Sequence, residues 1–146
     1  MGLQSSDQEY IDSKEGLTTL VNPSIRSMSM FMNMSENSIF KEQKVRQALC
    51  YAIDNEGINE VVYGGLATPR VSPFSTAMMD YSEDLDGDMY AAADTKKAQE
   101  LLESAGVTEG NIKIATDGSS EQTAIAEILQ STLMELGFTA EINNYD

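Results

Sequence analysis

Asn111 to Ile142 reads NIKIATDGSSEQTAIAEILQSTLMELGFTAEI, and this stretch decides the fold class. Ile112 and Ile114 alternate with polar neighbours, which is the period-two pattern of a strand over 111–116. Asp117-Gly118-Ser119-Ser120 is a turn that opens a helix from Glu121 to Leu136. Ile125, Ile128, Leu129, Thr132, Leu133 and Leu136 fall on one face of that helix. Gly137 stops it, and Phe138, Ala140 and Ile142 alternate along a second strand, 138–144. Strand, helix and strand in that order predict a right-handed βαβ unit with a parallel pair. The class is α/β.

Upstream, KVRQALCYAIDNEGI spans Lys44 to Ile58. Val45, Ala48, Leu49, Ala52 and Ile53 recur at helical spacing and draw one apolar stripe. Asp54 reads as the N-cap of a new turn, because its carboxylate can accept the free N–H groups of Glu56 and Gly57. Ile58, Val61, Val62 and Tyr63 continue an apolar face that ends at Gly64-Gly65. Asp94 caps a further helix, Thr95 to Ala105, with Ala98, Leu101, Leu102 and Ala105 inward and Gly106 at its end. Ala67 to Phe74 holds Pro69 and Pro73 and reads as an extended loop.

The first part of the chain is less regular. Residues 1–16 are polar and mixed and read as a flexible N-terminal segment, with 17–146 as the folded unit. Leu17 to Val21 is a β-like run closed by Asn22-Pro23. Ser27 to Met34, SMSMFMNM, puts methionine at 28, 30, 32 and 34. Period two predicts a strand with a sulfur-rich core face, where a charge at Met30 or Met32 would be costly. The alternatives are an adaptable apolar wall for a ligand or a soft-metal site. Phe40 pins the connection from this strand to the Lys44 helix. The expected architecture is a mixed sheet with strands near 17–21, 28–34, 111–116 and 138–144, flanked by helices.

Composition excludes several functions. The 146 residues carry 24 acids against 9 bases, a formal charge of −15. Phosphate binding needs a basic face, so nucleic acid is not an expected partner. No apolar run is long enough to span a bilayer. Met1 to Ser6 lacks the basic start and apolar core of a secretory signal. No histidine is present, so a Ser-His-Asp triad and imidazole-based zinc sites are ruled out. Cys50 is the only cysteine, on the helix at the edge of the apolar stripe; it reads as a packed thiol with no base to activate it. Asp84, Asp86 and Asp88 are spaced like the first ligands of a calcium loop. Met89 stands where that loop needs glycine and Thr95 where it needs a bidentate glutamate, so Asp80 to Asp88 reads as a solvated acidic loop. No metal and no cofactor are expected, and no constellation points to an enzyme.

One place reads as functional. Asp117, Gly118, Ser119 and Ser120 lie where a strand ends and a helix begins. That is the ligand edge of an α/β sheet, and the N–H groups of the helix N-terminus point out of it. Ordinary helix capping by Ser119 or Ser120 explains the same residues.

The run Phe40-Lys41 … Lys44-Val45-Arg46-Gln47-Ala48-Leu49 … Tyr51-Ala52-Ile53-Asp54 … Ile58 resembles the signature of the extracellular solute-binding proteins of peptide and nickel ABC transporters. Phe31 and Asn33 look like the strand before that signature, and Val62 to Ala67 with Pro73 look like the segment after it. Tyr90, Asp94, Lys97-Ala98, Leu101-Leu102 and Ala105-Gly106 are similar to the family's next helix. Ile128, Gln130, Leu133, Gly137 and Phe138 fit its last helix and exit strand. The resemblance covers about residues 20–146.

It implies a partial lobe of a periplasmic-binding-protein-like (type II) fold. The implied function is the capture of peptides in a cleft between two lobes, for delivery to ABC permease subunits. The implied location is the outer side of the cytoplasmic membrane, in the periplasm or anchored as a lipoprotein. Asn33 joins Asp117, Gly118, Ser119 and Ser120 as a candidate ligand contact. Segment 116–124 holds no Arg or Lys to match the basic residue that some dipeptide binders place near this helix, so recognition of a dipeptide carboxylate is not carried over. Other readings are a nickel or small-solute binder of the same family and a cell-surface peptide receptor or chaperone-like module without a transport role. If the lobe is partial, the edges at 111–116 and 138–144 stay open to self-association.

Overall fold

The computed structural model describes residues 5–85, 90 and 92–145. Its elements in chain order are α1 (Ser5–Asp12), a 3-10 turn (Ile39–Lys41), α2 (Gln43–Ala52), α3 (Asn55–Tyr63), a second 3-10 turn (Glu83–Leu85), α4 (Thr95–Ala105), β1 (Gly110–Thr116), α5 (Ser120–Glu135) and β2 (Phe138–Asn144). β1 and β2 pair in parallel, with Gly110 opposite Phe138, Ile112 opposite Ala140 and Thr116 opposite Asn144. This is the pair expected from the strand–helix–strand order.

The core forms where α2 and α4 meet the β1–α5–β2 unit. Val45, Ala48, Leu49 and Ala52 of α2 pack with Ala98 and Leu102 of α4, Ile112 of β1, Leu133 and Leu136 at the end of α5, and Phe138 of β2. The α2 stripe thus lies inward as its spacing predicts. Alanine at 48 and 98 lets the two helix backbones approach closely, since each is fully buried. Phe40 packs against this core from the 3-10 turn. The Arg46 guanidinium donates to the carbonyls of Phe40 (2.7 Å) and Lys41 (2.9 Å), fixing that turn on α2. Cys50 is a half-buried free thiol whose pKa is raised by burial, as suits a packed rather than a reactive sulfur.

The caps act where local chemistry requires them. Asp54 accepts from the Gly57 N–H at 3.0 Å and Asp94 from the Lys97 N–H at 2.8 Å. Gly106 ends α4 in a left-handed conformation, φ 68°, which glycine adopts without a Cβ penalty. The Asp94 N–H donates to the Tyr51 carbonyl at 2.7 Å, joining the end of α2 to the start of α4. On α3 the inward positions are Ile58, Asn59, Val62 and Tyr63. Val61 is 73% exposed, because it lies on the far side of the helix from those four. Buried Asn59 instead holds the following loop, accepting from the Ala67 N–H at 2.9 Å.

Two expected strands do not form. Residues 17–21 and 28–34 run without strand pairing. A ladder needs a neighbouring edge, and among the described residues neither segment lies in register along an edge of β1 or β2 or along the other. The sheet among the described residues is therefore two-stranded and wholly parallel rather than mixed. Leu20 and Phe31 are largely exposed, and Met30 is 41% exposed, so a charge at Met30 stays solvated. Only Met32 of the methionine row packs against the core. In the polar start, expected to be flexible, the chain forms α1. The carboxylate of Asp12, its last residue, accepts from both the N–H and the hydroxyl of Thr19 at 2.9 Å, and the Lys14 ammonium lies over the Tyr10 ring. These local contacts stand in for the apolar stripe that α1 lacks. Of the acidic loop, Asp86 and Asp88 lie outside the described residues. Among the described residues no group of three or more acids, cysteines or histidines is placed to hold a metal ion, and no helix is long and apolar enough to cross a membrane.

Candidate functional site

The turn between β1 and α5 is built by a closed set of hydrogen bonds. Thr116 is buried at the end of β1, and its hydroxyl bonds the Asn144 side-chain oxygen on β2 (2.6 Å), while its carbonyl accepts from the Tyr145 N–H (2.8 Å). The same hydroxyl oxygen accepts from the Gly118 N–H at 3.1 Å. Asp117 accepts from the Ser119 N–H on one oxygen and from the Gln122 side-chain amide on the other, both at 2.9 Å. The Gln122 amide oxygen in turn accepts from the Asp117 N–H at 3.0 Å. Ser119 is the N-cap: its Oγ accepts from the Gln122 N–H. Gly118 turns the chain at φ +73°. Asp117, Gly118, Ser119 and Ser120 are all exposed, one turn at the open end of the sheet.

The electrostatics of the turn favour a carboxylate already in place. The Ser119 hydroxyl and backbone N–H stabilise ionised Asp117 and hold its pKa below the usual aspartate value, with the Arg26 charge adding to the effect. A depressed folded value means that this contribution is complete above the ordinary aspartate range and is lost as pH falls through the depressed value. An NMR pH titration should therefore place the Asp117 midpoint below that of an exposed aspartate; a midpoint at or above it would show the Ser119 contacts to be absent in solution.

Asn33 does not join the turn. Its side-chain oxygen accepts from the Ser35 N–H at 3.0 Å, a local Asx turn on exposed chain. Among the described residues no hydrogen bond ties it to 117–120. The structure instead brings three other residues to the first turn of α5. Glu121 accepts from the Tyr63 hydroxyl at 2.6 Å on one oxygen and pairs with the Arg26 guanidinium at 3.2 Å on the other. Burial, then the Glu121 hydrogen bond and charge, push the Tyr63 phenol far up. Sequence reasoning missed this network because Arg26 and Glu121 are 95 positions apart, and neither sits in a recognisable motif. Segment 116–124 lacks a basic residue, as the sequence shows, but the fold supplies one from residue 26.

The sequence profile described as "Bacterial extracellular solute-binding proteins, family 5 Middle" matches residues 1–146. The chain belongs to this family. A curated relative, glutathione-binding protein GsiB from Pectobacterium atrosepticum, is 30% identical over 140 residues, covering 94% of this chain and 26% of that protein. The chain thus spans about a quarter of the length of the curated relatives it matches. Among solved structures, the ABC transporter substrate binding protein CtaP from Listeria monocytogenes superposes with a TM-score of 0.77 at 25% identity, over 99% of this chain and 30% of that one. The oligopeptide-binding protein AppA from Bacillus subtilis, solved in complex with a nonapeptide, gives 0.65 at 26% identity, over 76% and 25%. The family 5 assignment and the α/β, helix-flanked architecture agree with the resemblance read from the Lys44 signature.

Proposed function

We propose that this chain is a segment of the substrate-binding component of an ABC importer, which captures peptides in a cleft between two lobes and delivers them to the membrane permease. The observation that carries the reading is the match of the whole chain to a solute-binding family. The likeness to a nonapeptide-bound neighbour supports peptide as the ligand class. Asp117, Gly118, Ser119, Ser120 and Asn33 are the proposed ligand contacts, with residues 17–146 as part of the binding lobe. The N–H groups of Asp117, Gly118, Ser119 and Gln122 are used within the turn, so what it presents to a ligand is the polar side chains on exposed loop and the first N–H groups of α5, at Ser120 and Glu121, the means by which an extended peptide backbone is read without covalent chemistry. The reading is non-enzymatic, and the location is the outer side of the cytoplasmic membrane, periplasmic or lipoprotein-anchored.

A thermal-shift screen of the whole encoded polypeptide tests it, using short peptides, reduced glutathione, nickel complexes and sugars. A ligand that binds only the folded state stabilises it by about 2.7 kcal/mol at a hundred times its Kd. A rise in Tm with peptides and not with the other ligands is the expected result. A rise with nickel complexes alone would replace peptide by a metal complex, and no rise with any ligand would sink the reading.

The open edges of the two-stranded sheet extend the proposal to self-pairing of the 146-residue chain. Sedimentation at rising concentration is expected to show dimers; a monomer throughout would remove this part.

A further inference from the structure

The turn at 117–120 is shaped from within but located from outside. Its internal bonds, Asp117 to Gln122 and Ser119 to the start of α5, fix its conformation. They say nothing about where it sits relative to the extended segment around residue 26 or to the end of α3. Among the described residues, the polar contacts that do so converge on one side chain. Glu121 takes the Tyr63 hydroxyl on Oε1 and the Arg26 guanidinium on Oε2. Segment 24–27 is gripped on its other side by the 73–75 loop: the Ser27 hydroxyl donates to the Pro73 carbonyl at 2.8 Å and the Ser75 hydroxyl to the Ser24 carbonyl at 2.6 Å. On either side of this grip the chain is exposed and outside any strand.

We propose that Glu121 is the positioning residue of the 117–120 turn, clamping Arg26 and Tyr63 on its two carboxylate oxygens so that segment 24–27, the 73–75 loop and the end of α3 are held in register with the first turn of α5. The clamp is suited to placement rather than to stability. Its ion pair is open to solvent, with Arg26 70% and Glu121 29% exposed at the side chain, and such pairs contribute little to folding. The phenol is the tighter half: it is half-buried, and its bond to a carboxylate is charge-assisted and short. Burial first, and then that bond, keep Tyr63 protonated far above its ordinary range. Carboxylate at this position further suits the positive end of the helix dipole. The consequence for ligand binding rests on the function proposed above; the mechanical role of the clamp does not.

The test uses the whole encoded polypeptide with Glu121→Ala and Arg26→Lys, and reads three quantities. Titration calorimetry with a peptide from the screen should show Glu121→Ala weakened about tenfold or more, the scale of one charge-assisted hydrogen bond. Arg26→Lys keeps the charge and should remain within about threefold of the parent. Hydrogen exchange should quicken at 24–27 in Glu121→Ala while the amides of β1 and β2 exchange as before. The Tm should stay within about 2 °C of the parent. Unchanged affinity, or unchanged exchange at 24–27, overturns the proposal, and so does a loss of Tm large enough to explain the loss of binding. If the parent binds no peptide, the functional reading falls and the exchange result alone decides the clamp.

Discussion

Leu102→Ala is expected to destabilise the protein by about 2–5 kcal/mol, the range for deleting a buried leucine side chain. Leu102 is 2% exposed and is, with Val45, the largest side chain that is fully enclosed. It sits where α4 meets the α2 stripe and the end of α5, so its loss is felt by three helices at once. A groove of about 270 Å³ lined by Gln99, Leu102, Glu103, Thr108 and Leu136 already opens beside it. Water can enter the enlarged space through the polar lip, which places the expected cost nearer 3 kcal/mol than 5. Phe31→Ala is the matched control: the ring is 93% exposed, and its removal should change stability by less than about 0.5 kcal/mol. Urea unfolding of both variants checks the pair. A cost below about 1 kcal/mol for Leu102→Ala would mean that the α2–α4 contact is not the core. A cost for Phe31→Ala of the same size would mean that the methionine-rich stretch is buried in solution after all.

That contrast also marks what the residues could tell in advance. α2, α4, α5 and both strands were legible because each is decided locally, by a stripe, a cap or an alternation within about a dozen residues. Asp54, Asp94 and Ser119 cap where their side chains predict. Residues 28–34 carry an equally clear alternation and form no strand. A period-two pattern states which face is apolar, whereas a strand also needs an edge to pair with, and that edge is not written in the segment. α1 was illegible for the opposite reason: it has no stripe, and a carboxylate–threonine contact seven positions along the chain holds it instead. The turn at 117–120 was legible as a strand-to-helix junction. The Arg26–Glu121–Tyr63 network beside it was not, because three distant segments supply it and none carries a motif. Asn33 became a candidate contact through its place beside the family signature, and the fold gives it a local partner, the Ser35 N–H, rather than a place in this turn.

Gly137→Ala is the second large effect, and it separates two demands that a helix-terminating glycine can face. Gly137 leaves α5 at φ +94°, where an L side chain is strained at about 1–3 kcal/mol. A Cβ built there would also lie 2.8 Å from the Thr108 carbonyl oxygen, on the backbone that leads into β1. A backbone oxygen cannot swing aside as a flexible side chain can. Relief would require moving either the Thr108 turn or the start of β2, and both are fixed by the register that sets Gly110 against Phe138. Gly106→Ala isolates the first demand. Gly106 ends α4 at φ +68° and has nothing within 4 Å of its built Cβ, so only backbone strain of about 1–2 kcal/mol is expected. Gly137→Ala should therefore cost at least about 1 kcal/mol more than Gly106→Ala in urea unfolding, and should quicken amide exchange at the Phe138 end of β2. Equal costs would mean that the chain relaxes around Thr108 and that the β1–β2 register does not depend on this approach. The larger cost would mean that one glycine both stops a helix and admits the close contact that sets the parallel pair, so the end of the sheet opposite the candidate site is fixed by backbone rather than by side chains.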